Sequence, residues 1–307
     1  MSVAILGAGA FGTSLALALS RDGQAVTLWA RDAEVARSMQ DTRVTGTRLP
    51  GFTLPETLTV TGDLASVGAD TLLLAVPMQS LASFLTQAPD VSGRALVACC
   101  KGIDRQTGLG PVATIEATCQ KATAALLTGP SFAADIARGL PTALVIATRQ
   151  PADATRLQNA LSRPALRLYR STDVTGAELG GALKNVIALA AGIAIGAGLG
   201  DSARASVIAR GFAEMGRFAG ANGAETETLQ GLSGLGDLVL TCTSEKSRNF
   251  VAGQALGRGE TPDPSKTVEG IATASAIVAL ADQQGLDNVL ADIKRYGELY
   301  GGDAWEP

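Results

Sequence analysis

Lys184 and Asn185 open a segment otherwise built of Gly, Ala, Val, Ile and Leu that runs to about Leu199. The chain contains no histidine, so any proton transfer falls to Lys, Asp, Glu, Tyr or Cys. A lysine among small and apolar residues has its charged form disfavoured by desolvation, and its pKa moves toward the range where it exchanges protons. Read as a helix, Gly181, Asn185, Ala188, Gly192 and Gly196 share one stripe at three- and four-residue spacing. So little side-chain bulk admits a ligand or another backbone. The same pattern also suits tight helix packing, with Lys184 extended toward solvent.

A second candidate lies at the N-terminus. Val3–Leu6 reads as a short apolar strand, Gly7-Ala8-Gly9-Ala10-Phe11-Gly12 follows at once, and a helix pattern runs from Thr13 to about Arg21 before a strand at about Ala25–Trp29. Strand, glycine turn, helix and strand in that order are the context a dinucleotide fingerprint requires. Gly7 permits the turn, Gly9 lets the backbone approach a pyrophosphate, Gly12 allows close helix–strand packing, and the helix start offers free amides. Past the second strand an NAD site usually places Asp or Glu. Here Arg31 stands at the strand end, suited to a 2′-phosphate, while Asp32 suits the cap of the next helix. NADPH is therefore the expected cofactor, ahead of NADH.

The elements that must position these groups follow from patterning. Further strands are expected at Thr71–Val76, Ala95–Cys99, Ala124–Leu127, Ala143–Ala147 and Ala165–Tyr169. Ligand groups in such α/β sheets gather at the strand carboxyl ends, where Val76-Pro77-Met78-Gln79, Cys100-Lys101-Gly102 and Gly129-Pro130-Ser131-Phe132-Ala133 stand. Lys101 reads either as an ordinary loop lysine or as an ammonium at the mouth of the site. Gly129-Pro130-Ser131 reads as a helix start, and Gln106–Gly110 as a surface loop.

Beyond Ser171-Thr172-Asp173 the β pattern stops, which sets expected domains of 1–173 and 174–307. Helices are expected at Gly176–Ile195, Ala203–Ala221, Arg248–Leu256 and Val268–Gln284. Ser247 is placed to cap the third of these, with Arg248 and Asn249 in its first turn. Hydroxyl, guanidinium, amide and backbone donors together suit a phosphate; the plain alternative is a helix cap. Asp237 reads either as another cap or as a carboxylate that orients a lysine.

Composition bounds the function. The chain has 307 residues, 46% apolar and 18% charged, with a net charge of −4, which fits a folded two-domain protein and gives no case for nucleic acid. Met-Ser-Val-Ala-Ile-Leu-Gly lacks the basic n-region of a signal peptide. The apolar run Val186–Gly200 is shorter than the roughly 20 residues a bilayer needs, so no membrane span is expected. Cys99, Cys100, Cys119 and Cys242 lack zinc-ligand spacing. They read as reduced thiols in a cytoplasmic protein, with no metal.

Taken together, Gly7-Ala8-Gly9-Ala10-Phe11-Gly12-Thr13, Lys101-Gly102, Gly129-Pro130-Ser131-Phe132-Ala133, Gly181-Ala182-Leu183-Lys184-Asn185, the block Gly234–Thr243, Ser247-Arg248-Asn249 and Val268-Glu269-Gly270 resemble, in the same order, the bacterial NAD(P)-dependent sn-glycerol-3-phosphate dehydrogenases. The resemblance implies a Rossmann-type N-terminal domain and an all-helical C-terminal domain like that of 6-phosphogluconate dehydrogenases. It implies reversible reduction of dihydroxyacetone phosphate for phospholipid synthesis, in a cytoplasmic homodimer. Lys184 matches the family's proton donor and acceptor, with Lys101, Asn185, Asp237 and Thr241 as supporting groups. Lys101, Gly129, Ser131, Lys184, Asp237, Ser247, Arg248 and Asn249 fall on substrate positions. Gly7, Gly9, Ala10, Phe11, Gly12, Arg31, Lys101, Ala133, Arg248 and Glu269 fall on cofactor positions. Ser202 stands where Asn is expected, Ala10 where many relatives have serine, and the tail from about Gly285 matches poorly. Two other readings use the same elements: a β-hydroxyacid or 6-phosphogluconate-type dehydrogenase, and a non-catalytic sensor of nicotinamide redox state.

Overall fold

The computed structural model describes residues 2–88, 90–263, 268–271 and 273–274. Eight strands form one sheet: β1 (Val3–Leu6), β2 (Val26–Trp29), β3 (Leu58–Thr61), β4 (Thr71–Leu74), β5 (Ala95–Ala98), β6 (Thr123–Thr128), β7 (Thr142–Ala147) and β8 (Leu166–Ser171). Their spatial order is β3-β2-β1-β4-β5-β6-β7-β8, and only β6 and β7 pair antiparallel. Every residue of β1, β4 and β5 is buried, as a parallel sheet covered on both faces requires.

Register brings the candidate loops together. Leu6 pairs with Leu74, and Leu74 with Ala98, so β1, β4 and β5 end level. The glycine turn after β1, the Ala75–Pro77 turn after β4 and Lys101 after β5 all leave the sheet at one edge.

The five expected strands beyond β2 form, with small shifts. β4 stops at Leu74 and β5 at Ala98, while β8 runs from Leu166 to Ser171. The strand Leu58–Thr61 was not expected. It lies at the sheet edge with only Leu58 and Val60 of its residues buried, and two apolar side chains between threonines carry too short a pattern to read.

Helices α1 (Ala10–Ser20), α2 (Ala33–Thr42), α3 (Met78–Gln87), α4 (Pro111–Thr118), α5 (Ala133–Arg138) and α6 (Pro151–Leu161) connect the strands. α1 starts three residues earlier than its apolar pattern, because the glycine turn supplies its first turn. Gly7 has φ +126, and a Cβ on Gly12 would sit 2.0 Å from the Gly7 carbonyl oxygen, so helix and turn touch backbone to backbone. Asp32 caps α2 as expected, its Oδ1 accepting from the amides of Glu34 and Val35 at 3.0 and 3.2 Å.

The second half is helical: α7 (Val174–Gly196), α8 (Gly200–Ala221), α9 (Thr226–Gln230), a π-helical turn at Leu232–Gly236, α10 (Asp237–Cys242) and α11 (Arg248–Gly257). The helix expected at Val268–Gln284 lies for the most part outside the described residues. α7 packs against α8, α10 and α11. It begins at Val174, so it is longer than the apolar run at Val186–Gly200 and is long and apolar enough to cross a membrane; 67% of its most apolar window is nevertheless buried inside the fold. The stripe of small residues on α7 serves two purposes. A Cβ on Gly192 would lie 2.1 Å from the Phe250 carbonyl oxygen, and one on Gly253 equally close to that of Leu189, so this part of the stripe is a helix crossing. Gly181 faces Thr128 and Lys101 instead.

Candidate active site

Four elements converge below the carboxyl ends of β5 and β6. Lys101 follows β5, Gly129 follows β6, α7 brings Lys184, and α10 brings Asp237 with Thr241 one turn later. The π-helical turn ahead of α10 aims its first residue inward, and such irregular turns recur at functional sites.

Asp237 is 1% exposed and lies between two ammoniums. Lys184 Nζ donates to Oδ1 at 2.8 Å and Lys101 Nζ to Oδ2 at 2.5 Å. Lys184 also donates to Thr241 Oγ1 at 2.7 Å, and that hydroxyl donates to the Asp237 carbonyl oxygen at 2.6 Å. Lys101 donates to the Gly129 carbonyl oxygen at 3.2 Å. An ammonium has three donors, so among the described residues each lysine retains one for an incoming oxygen.

Lys184 does not extend to solvent; it is 6% exposed. Burial pulls its pKa down to about 8, Asp237 opposing and Lys101 reinforcing that fall. For Asp237, burial pushes upward but is overridden by Lys101 and Lys184, which hold the carboxyl below its ordinary range. Of the two readings of Asp237, the lysine partner is the one that forms: Asp237 is the first residue of α10, Gly236 stands at the cap position, and no side chain makes a cap hydrogen bond there.

A second group flanks the first. Ser247 caps α11, its Oγ accepting from the Phe250 amide at 3.2 Å, with Arg248 and Asn249 in the first turn. Asn249 Nδ2 donates to Asn185 Oδ1 at 3.0 Å, and Asn249 Oδ1 accepts from the Gly270 amide at 2.8 Å. This chain ties α7 and α11 to the residue after Glu269. Burial raises the Glu269 pKa against the opposing pull of Arg248, Lys101 and Lys184, which places its carboxyl among the cations.

The nucleotide side is the glycine turn. Ala10, Phe11 and Ala133 pack, partly buried, on one shared core. A Cβ on Gly9 would meet nothing within 4 Å, so space lies open over the α1 amides where a pyrophosphate must come close. The residues present fit a dinucleotide. Arg31 is exposed just past the end of β2, apart from the lysine cluster. One expectation shifts: α5 starts at Ala133, with Phe132 as its cap, and not at Pro130 or Ser131. Gly129, at φ +130, turns the chain before the helix begins, and Ser131 Oγ donates back to the Gly129 carbonyl oxygen at 3.3 Å.

Glu178, in the second turn of α7, has a role that the sequence scarcely signals. Its Oε1 accepts from the Val112 amide at 2.6 Å, capping α4 from the neighbouring element, and burial pushes its pKa up to about 7. An acidic residue at the start of an apolar helix was its only signal.

Residues 2–154 match the model of the NAD-dependent glycerol-3-phosphate dehydrogenase N-terminus, and residues 173–294 that of its C-terminus. The chain belongs to the NAD-dependent glycerol-3-phosphate dehydrogenase family. It is 60% identical over 289 residues to glycerol-3-phosphate dehydrogenase, NAD(P)+, of Ruegeria sp. strain TM1040, covering 94% of this chain and 90% of that one. Identity to the enzyme of the same name from Cereibacter sphaeroides is 59%, with the same coverage. Among solved structures, glycerol-3-phosphate dehydrogenase from Coxiella burnetii superposes with a TM-score of 0.86 at 36% identity, covering 92% of this chain and 90% of that one. D-mandelate dehydrogenase shares the fold at 14% identity and a TM-score of 0.61. Membership accounts for both halves of the molecule, a Rossmann-type sheet and a helical C-terminal part. It also makes the chain an NAD(P)-dependent oxidoreductase.

Proposed function

We propose that this chain reversibly reduces dihydroxyacetone phosphate to sn-glycerol 3-phosphate, with Lys184 as the proton donor and acceptor. The observation that carries this reading is the buried Lys184–Asp237–Lys101 cluster. It holds two cations on one carboxylate, so a net positive charge waits in a dry place.

When bound, the dinucleotide supplies hydride to the carbonyl carbon. The amides at Ala10 and Phe11, over the open face of Gly9, would hold its pyrophosphate, and Arg31 would pair with a 2′-phosphate, favouring NADPH over NADH. Lys184 and Lys101 stabilise negative charge as it develops on the substrate oxygen, and Lys184 delivers a proton to it. In the reverse direction neutral Lys184 takes the hydroxyl proton. Asp237 and Thr241 fix the direction of the Lys184 ammonium throughout. Ser247, Arg248 and Asn249 bind the phosphate at the α11 start, remote from the reacting carbon. Asn185 holds Asn249 in place.

We extend the reading to domains of 1–173 and 174–307, a cytoplasmic homodimer, and a supply of backbone for phospholipid synthesis. The test is NADPH oxidation by purified protein with dihydroxyacetone phosphate against unphosphorylated dihydroxyacetone. Turnover that requires the phosphate is expected. Cofactor binding without turnover of either ketone contradicts the reading.

A further inference from the structure

Among the described residues, two buried side-chain hydroxyls have no hydrogen-bonding partner, Thr71 Oγ1 and Thr128 Oγ1. The residues are 0% and 1% exposed, and a buried hydroxyl without a partner lowers the stability of the fold. Their positions differ. Thr71 opens β4, paired with Val3 and Ala95 at the amino ends of those strands, far along the sheet from the lysine cluster. Thr128 closes β6, one residue before the carbonyl group that accepts from Lys101.

The Thr128 hydroxyl and the Lys101 stem flank the same point on α7. A Cβ on Gly181 would lie 3.2 Å from Thr128 Oγ1, 3.5 Å from Lys101 Cγ and 3.6 Å from Lys101 Cδ. The orphan hydroxyl and the Lys101 stem thus pack against the same glycine of α7. Two of the three N–H donors of Lys101 Nζ go to Asp237 Oδ2 and the Gly129 carbonyl oxygen. Turning the ammonium to aim its third N–H at a substrate oxygen swings another N–H off its acceptor, and an ammonium donor left without an acceptor in this half-buried place is costly.

We propose that Thr128 is a positioning residue for the reduction, acting through Lys101: its hydroxyl accepts the Lys101 N–H released when that ammonium turns to the substrate oxygen. The inference rests on the reaction proposed above. It explains why an orphan group sits at this strand end, where irregular features gather at function. It also separates Thr128 from Thr71, which lies at the opposite, amino end of its strand.

Valine replaces threonine with nearly the same shape and no hydroxyl, so Thr128→Val and Thr71→Val form a matched pair. Both variants should melt roughly 2–4 °C higher than wild type once the unpaired hydroxyl is gone. Thr71→Val should keep kcat/KM for dihydroxyacetone phosphate within about twofold of wild type, as remote substitutions do. Thr128→Val should lose about tenfold or more in kcat/KM, the worth of a hydrogen bond to a charged group, and Thr128→Ser should restore it. If Thr128→Val does not fold, Thr128→Ser against Thr128→Ala repeats the comparison, since those two differ only by the hydroxyl. Unchanged kcat/KM in Thr128→Val, with the higher melting temperature, would overturn the proposal and leave Thr128 a plain core orphan. No turnover by wild type would instead overturn the reaction, and the role of Thr128 with it.

Discussion

Lys184 Nζ donates to Asp237 Oδ1 across 2.8 Å, and the other oxygen of the same carboxylate neutralises Lys101. Two ammoniums on one buried anion leave an excess of positive charge. Water would weaken such a charge by screening; in a buried place it acts more strongly on any oxygen that gains negative charge beside it. The relation sets the behaviour expected of the cluster.

Removing the anion should hurt twice. Asp237→Asn leaves two ammoniums against a neutral amide in a buried place, and losing one partner of such a pair costs about 3–5 kcal/mol. The same change should drive the Lys184 pKa below about 8, because the opposing pull of the carboxylate is gone. Urea denaturation at neutral pH measures the first effect, and the pH profile of any residual reduction the second. A variant as stable as wild type would mean that the pair is not buried as described.

The wild-type pH dependence has a definite sign. Lys184 titrates near 8, chiefly through burial. Reduction needs its protonated form, so kcat/KM for the ketone should be level below pH 8 and fall about tenfold per unit above it. Oxidation of sn-glycerol 3-phosphate needs the neutral form and should rise to a plateau past pH 8. Steady-state rates in both directions check this, and profiles of the same sign would contradict it.

Glu178 predicts a stability effect with no change in chemistry. Its carboxyl caps α4 through the Val112 amide, and burial, partly opposed by that amide and by Arg149, raises its pKa from 4.5 to about 7. The folded state therefore binds more protons than the unfolded one between pH 4.5 and 7, and its stability falls as pH rises through that window. Above pH 7 the largely buried carboxylate costs on the order of 3 kcal/mol. Glu178→Gln keeps the acceptor for Val112 and removes the charge, so it should be more stable than wild type at pH 8 and equal to it at pH 4. Melting temperatures at the two pH values decide the matter; equal stabilities at pH 8 would show that the carboxylate is better solvated than its position indicates.

Arg248 should act on binding and not on the bond changes. It begins α11 beside the Ser247 cap, and a group that holds a remote phosphate contributes equally to ground and transition states. Arg248→Ala should raise KM for dihydroxyacetone phosphate at least tenfold, the value of one charge-assisted hydrogen bond, with a much smaller change in kcat. Initial rates over a range of substrate concentration make the separation, and a kcat collapse at unchanged KM would place Arg248 elsewhere in the reaction.

Much of this site was legible in the amino-acid sequence because its parts sit on strong local signals. The glycine turn, the Asp32 and Ser247 caps and the polar pair Lys184-Asn185 in an apolar helix each follow from short-range chemistry, and all form where expected. What local pattern leaves open is pairing across the chain. Asp237 reads equally as a cap or a lysine partner until the π-helical turn at Leu232–Gly236 aims it at Lys184, more than fifty residues away in sequence. The small-residue stripe likewise divides its roles only once α11 crosses it at Gly192 and Gly253. β3 escaped notice because an edge strand with two buried residues has almost no period. Glu178 and Thr128 were silent for a related reason: both owe their character to burial, which no spacing within one helix or strand reveals.

The most direct measurement is reductive turnover by Lys184→Ala, with NADPH binding followed in parallel to establish that the fold and the nucleotide site survive. Loss of a positioned proton donor should lower kcat by about 10²–10⁴-fold while NADPH binds as to wild type. Near-normal kcat in that variant would contradict Lys184 as the proton donor and return the chemistry to another group in the cluster.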